Sequence, residues 1–354
     1  MVQLLGDDGP TQVRTPAPTT TTTWRPPAAG CVPLEQLDRR QRLAQLVTVH
    51  VAGSPLDQVA SLLGRVDPPG GILVEGTGQE GFDDGRLAAL VSGRPTLVAV
   101  DDEGGRVTAL ATPAPSPREQ AASMSTDAIR QLGRERGEAM RRAGVNMDFA
   151  PVVDLSAGDA SNAIGDRSYG TDPEQVARDA GAFAAGLRDA GILPTLKHFP
   201  GHGRASGDPH QTVVSTPPLQ RLQRSDLKPY ELLSGRGEAA VMVGHLDVPG
   251  LTESGVPASL SPAAYRYLRS RIGFDGLAVT DELGAMAAVN TRFTAPQAAV
   301  AAIAAGADVA LLGPTDVFGS VVDALDEAAV AGTLSEDRVD EALVRVRRAQ
   351  GCAA

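Results

Sequence analysis

Three of the chain's five histidines fall within one stretch, TLKHFPGHGRASGDPH, residues 195 to 210. An apolar run ends there in Lys197-His198. A loop with Gly201, Gly203 and Gly207 then carries His202 and closes on Asp208-Pro209-His210. The glycines let the backbone double back, and Pro209 fixes the link between carboxylate and imidazole. Asp208 can then accept the Nδ1 proton of His210, which leaves Nε2 facing a reacting group with raised basicity. That is a general acid/base pair. The same loop read as a metal site would use His198, His202, Asp208 and His210, but no other strand end offers the compact ligand set that metal-dependent hydrolysis needs. The expectation is therefore chemistry without metal or organic cofactor.

A second stretch, GFDGLAVTDELGAM, ends an apolar run in Asp281. Taken alone, that carboxylate could cap the following helix. Beside an acid/base histidine it completes a different set: a nucleophile to attack an anomeric carbon and an acid to protonate the leaving oxygen. Lys197 closes a buried strand and needs counter-charges there. Asp101 could cap a turn before Gly104-Gly105, and Arg167 could pair on the surface with Asp166 or Asp172. His50 and His245 read as packed residues, with His245 near enough to a strand end to support a site. Asp308 reads as structural.

These residues need a scaffold that brings distant segments to one place. Eight apolar, β-branched runs recur with helical stretches between them, at 46–51, 70–74, 96–101, 146–154, 192–199, 239–247, 276–281 and 309–313. Alternation of this kind predicts βα units around a parallel sheet, and eight of them predict closure into a single (β/α)₈ TIM-type barrel. The helices carry their own punctuation: TDAIRQLGRERGEAMRRAG and PEQVARDAGAFAAGLRDAG start polar and stop at glycine, and SEDRVDEALVRVRRAQG opens with a capping-box pattern. Asp101, Asp154, Lys197, His198, His245 and Asp281 all stand where a strand ends, on the rim that carries the chemistry in such barrels.

The 354 residues carry a net charge of −11, which argues against a nucleic-acid partner. No apolar run reaches the length of a membrane span. Aromatic residues are 3% of the chain, so recognition should rest on hydrogen bonds in a small pocket more than on stacking platforms. Residues 1–30, with TPAPTTTTTWRPPAAG, lack periodicity and read as a disordered tether ahead of a barrel domain at 31–354. A Thr/Pro stalk suits an extracytoplasmic, secreted or envelope-associated protein, although MVQLLGDDG has neither the basic nor the apolar region of an export signal. The two cysteines, Cys31 and Cys352, bracket the ordered part, and a closed barrel brings its ends together. Sequence leaves open whether they are bridged or free.

The blocks AVDDEGGRV, NAIGDRSYG, LKHFPGHG with its later Asp-x-His, and GFDGLAVTDELGAM occur in this order over roughly residues 32–350. In them the chain resembles glycoside hydrolase family 3, in the branch of bacterial β-N-acetylhexosaminidases that act in peptidoglycan turnover. The resemblance implies a retaining mechanism with Asp281 as nucleophile, His210 polarised by Asp208 as acid and then base, and sugar binding by Asp101, Arg167, Lys197 and His198. It departs from the family at Asp102, where Gln is usual, at Ala109, where many members have Arg, and in Glu-Leu-Gly after Asp281. The expected activity is exo-removal of terminal N-acetylglucosamine from muropeptides or related N-acetylglucosaminides by a monomer. A phosphorylase using the same site and a non-catalytic cell-wall binding protein are the rival readings.

Overall fold

The computed structural model describes residues 30–352 apart from 54, 77, 79–80, 159–162, 206–213, 234–238, 285–286 and 314. All but the last residue of the expected tether, and both Asp208 and His210, lie outside the described residues.

Eight parallel strands form the barrel: β1 (Val47–His50), β2 (Gly71–Leu73), β3 (Leu97–Val100), β4 (Met147–Asp148), β5 (Leu193–Phe199), β6 (Ala240–Val243), β7 (Ala278–Thr280) and β8 (Ala310–Leu312). They pair in chain order, and β8 returns to β1 through the register Val47 to Ala310. The seam between β7 and β8 closes with the bridge Val279–Val309 and the bonds from Thr280 N to Val309 O and Leu283 N to Leu311 O. The fold is the expected (β/α)₈ barrel. The apolar runs made both faces of the strands buried, as a parallel sheet under helices requires.

At least one helix follows each strand, the main ones being α1 (Leu56–Leu63), α2 (Arg86–Val91), α3 (Thr126–Arg142), α4 (Pro173–Asp189), α5 (Lys228–Leu233), α6 (Pro262–Ser270), α7 (Ala295–Ala305) and α8 (Phe318–Val330). Ser125, Asp172 and Thr294 cap α3, α4 and α7 by accepting a backbone N–H two or three residues into the first turn. Helices α3 and α4 cross closely because Gly133 sits against the backbone of Phe183, and Gly186 against that of Arg130. Among the described residues no helix is long and apolar enough to cross a membrane.

One feature departs from the sequence reading, and another answers a question it left open. The fourth run was expected to be one strand over 146–154, but only Met147–Asp148 pair regularly. Pro151, after a cis peptide bond, has no N–H to give to the ladder, and the segment rejoins β5 through the bond from Thr195 N to Ala150 O and the bridge Val152–Lys197. The two cysteines are bridged, with Cα atoms 5.8 Å apart at a sequence separation of 321. Cys31 precedes a short helix, Arg39–Ala44, and Cys352 follows the closing helix Glu336–Ala349. Arg42 and Asp340 join those helices by an ion pair.

Asp308, just before β8, accepts from Arg269 Nη2 at 2.6 Å, Arg338 Nη2 at 2.9 Å, Arg345 Nη1 at 3.1 Å and Ala278 N at 2.9 Å. A fully buried carboxylate so satisfied ties α6 and the closing helix to the barrel floor, the structural role expected of it.

Candidate active site

Past the end of β3 the chain turns at Gly104 and Gly105, both at positive φ, where a side chain would be strained. The turn sends alternate side chains in opposite directions. Asp102 goes inward, is fully buried, and is gripped by the Arg136 guanidinium of α3, by Thr108 Oγ1 at 2.9 Å and by the Ala109 N–H at 2.8 Å. Asp101 and Glu103 go to the mouth. Positions 102 and 109, two of the places where the chain departs from the pattern it resembles, therefore bond to each other in the barrel wall.

Glu103 is the hub. Its carboxylate takes Arg167 in a two-pronged pair, Nε and Nη2 each at 2.6 Å, and Lys197 Nζ lies 2.7 Å from the same group. Lys197 also donates to Asp101 Oδ1 at 2.6 Å. Burial alone would lift the Glu103 pKa, but Lys197 and Arg167 hold it down at about 2. Burial likewise works against the charge on Lys197 and on Arg167, and the carboxylates reverse it, so both stay protonated. The surface pairing considered for Arg167 is not formed. Asp166 instead accepts from Arg106 Nε at 2.8 Å, and Asp172 caps α4.

The pairing register of β5 against β6 slips between Leu196 and Phe199, which presents two successive side chains to the rim. Lys197 reaches toward β3 and His198 toward β4. His198 Nδ1 lies 2.8 Å from Asp154 Oδ2, so Nδ1 carries a proton that it donates to this carboxylate. Asp154 also takes the N–H of His202, at 2.7 Å, and that of His198. The ring of His202 is buried, and neither of its nitrogens meets a hydrogen-bond partner among the described residues. Burial pushes its pKa down to about 4.

Asp281 continues β7, its N–H bonded to Val243 O at 2.9 Å, and its Oδ1 accepts the N–H of Glu282 at 3.0 Å. It caps no helix. Burial favours the neutral acid, but the His198 and His245 imidazoles, the Glu282 N–H and Lys197 together outweigh it, so the carboxyl is held below the usual range. His245 is buried and supports this end of the site: Nε2 donates to Glu282 O at 2.8 Å, and Nδ1 faces Ser259 Oγ at 2.6 Å. His50 is not a packed residue. It is half-buried at the β1 end, with Nε2 3.5 Å from Glu75 Oε1 and Nδ1 4.0 Å from Glu282 Oε2.

Asp101, Arg167, Lys197, His198 and Asp281 thus gather at the C-terminal rim, where Glu103 joins Arg167 and Lys197 and Asp154 holds His198. The sequence marks Asp154 as a strand-end residue of the rim without naming a partner for it, and does not single out Glu103. The signal existed for Glu103: a buried Lys197 demanded a carboxylate, and AVDDEGGRV offered three adjacent acids. The acid/base pair Asp208 and His210 lies in 206–213, outside the described residues.

The model of the glycosyl hydrolase family 3 N-terminal domain matches residues 42–349. The chain belongs to glycoside hydrolase family 3. The β-hexosaminidase LpqI of Mycobacterium tuberculosis is 45% identical over 327 residues, covering 89% of this chain and 83% of that protein. A family 3 glycosyl hydrolase from Mycobacterium smegmatis superposes with a TM-score of 0.85 at 44% identity, over 90% of this chain and 98% of that one. A family 3 β-N-acetylglucosaminidase from Paenibacillus gives a TM-score of 0.81 at 32% identity, over 90% and 64%. This family 3 protein is an enzyme, a glycoside hydrolase, of the bacterial β-hexosaminidase branch. The rim assembled by β3, β4, β5 and β7 is where a glycosidase of this fold must work.

Proposed function

We propose that the enzyme removes terminal β-linked N-acetylglucosamine with retention of configuration, from peptidoglycan fragments outside the cytoplasm. One observation carries the reading: a carboxylate kept ionised at a strand end, Asp281, stands in the field of the same lysine and histidine that line up beside Asp101 and Arg167. An ionised carboxylate is ready to attack. Asp101, the more exposed member of the cluster, suits sugar hydroxyls, while Lys197 and Arg167 supply donors for hydroxyl or acetamido oxygens.

In the first step an Asp281 oxygen bonds the anomeric carbon as the glycosidic C–O bond breaks, and His210 Nε2 gives its proton to the leaving oxygen. In the second, neutral His210, oriented by Asp208, takes a proton from the attacking water, whose oxygen displaces Asp281. Names borne by relatives, β-hexosaminidase and β-N-acetylglucosaminidase, support the sugar assigned. The Cys31–Cys352 disulfide supports an oxidising compartment.

The test is trapping with a slow aryl N-acetylglucosaminide followed by peptide mapping. A label on Asp281 is expected, together with release of free N-acetylglucosamine whether or not phosphate is present. A label on another residue, or binding of the glycoside without cleavage, overturns the proposal.

A further inference from the structure

We infer that Glu282 is a positioning residue for the attacking carboxylate, and that its side chain is locked in a slot that the rim keeps for it between β1 and β8. The inference rests on Asp281 being the nucleophile.

Glu282 meets the site through three separate groups. Its N–H donates to Asp281 Oδ1 at 3.0 Å, which fixes one carboxylate oxygen. Its carbonyl accepts from His245 Nε2 at 2.8 Å, and Ser259 Oγ, 2.6 Å from Nδ1, holds that ring from the other side. The peptide planes on both sides of Glu282 are therefore anchored, and the N–H that aims Asp281 belongs to one of them. The flanking residues add two more ties: Asp281 N to Val243 O and Leu283 N to Leu311 O, each at 2.9 Å.

The third group is the side chain. It leaves the mouth and crosses to the β1 end, where its Oε2 lies 4.0 Å from His50 Nδ1, and Glu75 lies 3.5 Å from the opposite ring nitrogen. On the β8 side the slot is made by Gly313. A methyl group built there would overlap Glu282 Oε1. Gly313 is not among the glycines at positive φ, so its backbone would accept any residue, and the missing side chain answers to space alone. A half-buried carboxylate placed in a slot between Gly313 and His50, on a backbone anchored at both peptide planes, ties its own seating to the peptide that aims Asp281. Misplacing a reacting group by about an ångström costs up to roughly 100-fold in rate, while leaving a sugar cluster on β3 to β5 free to bind.

Four variants test this with an aryl N-acetylglucosaminide carrying a good leaving group, by the pre-steady-state burst, steady-state kcat and KM, and thermal melting. Glu282→Ala and Gly313→Ala are each expected to slow formation of the glycosyl-enzyme by about 10- to 100-fold with KM within about twofold. Glu282→Gln, which fills the slot, should restore most of the rate, and His50→Gln should fall between. A wild-type burst rate in Glu282→Ala, or a lower melting temperature with kcat and KM unmoved, overturns the inference. Mapping the trapped peptide in the same experiment separates the two levels. A label on Asp281 at unaltered rate sinks only the role of Glu282, whereas a label elsewhere sinks the nucleophile assignment and this inference with it.

Discussion

Glu103 shows how one residue can decide the charge state of several. Two buried cations share its carboxylate, and Lys197 and Arg167 repel one another without it. Removing one partner from a buried ion pair costs about 3–5 kcal/mol, because the remaining charges stay desolvated. Glu103→Gln is thus expected to lower kcat/KM on an aryl N-acetylglucosaminide by about 100-fold or more, with a reduced melting temperature. Unchanged kinetics would show that the cluster tolerates the loss. Asp148 presents the opposite case. It is fully buried on β4, its Oδ1 accepts the Asp102 N–H at 3.0 Å, and burial followed by the charge of Asp102 pushes its pKa well up. The folded protein therefore keeps a proton that the unfolded chain releases above its ordinary range near 3.8. Stability from this group is present at low pH and is lost as pH rises toward the folded value. Asp148→Asn keeps the acceptor and abolishes that titration, so the variant should gain melting temperature over wild type, by more at about pH 8 than at about pH 5. An equal or inverted gain at the two pH values would refute a neutral Asp148.

The ends of β4 and β5 act together, since Asp154 on one holds the ring of His198 and the N–H of His202 on the other. Much of this element pair was legible. The positions of Lys197 and His198 at a strand end followed from an apolar run stopping in two polar residues, and so did the common rim. The short β4 was less so, because Pro151 breaks a run whose composition reads as strand throughout. Which carboxylate meets which cation was not legible at all: Asp101, Asp102 and Glu103 are adjacent in sequence, and only the turn at Gly104-Gly105 with Arg136 beneath it sorts them. His202 gives this region a measurable signature. Its imidazole is neutral in the fold, with a pKa of about 4 against an ordinary 6.5. Between those values the unfolded chain binds a proton that the folded one refuses, so stability falls as pH drops through that window, by on the order of 3 kcal/mol in full. His202→Gln should flatten this loss. Thermal melts between about pH 7 and about pH 4.5 would show a smaller drop for the variant than for wild type, and an equal drop would mean that His202 ionises freely in the fold.

At the scale of the whole molecule, a closed barrel has no free sheet edge, and its first and last described residues meet on the side away from the chemistry. Gly30 lies against Gly93, ahead of β3, and Gln350 donates to Gln45 Oε1 at 2.9 Å and to Gly70 O at 3.1 Å, ahead of β2. The disulfide therefore closes the floor of the barrel, while Asp281, Lys197 and Glu103 stand on the opposite rim. A covalent link spanning 321 residues removes conformational freedom chiefly from the unfolded chain, an effect worth about 2–5 kcal/mol. Part of that is recoverable without the bond, because the segment before Asp38 buries little: Cys31, Leu34 and Leu37 are only half-buried. Once released, it can detach locally while the barrel stays folded. Replacing both cysteines, Cys31→Ser with Cys352→Ser, should accordingly lower the melting temperature by a few degrees and leave kcat/KM within about twofold. Loss of activity in step with the loss of the bond, at a temperature where far-ultraviolet dichroism shows the barrel intact, would mean that the floor of the barrel governs the geometry of its mouth.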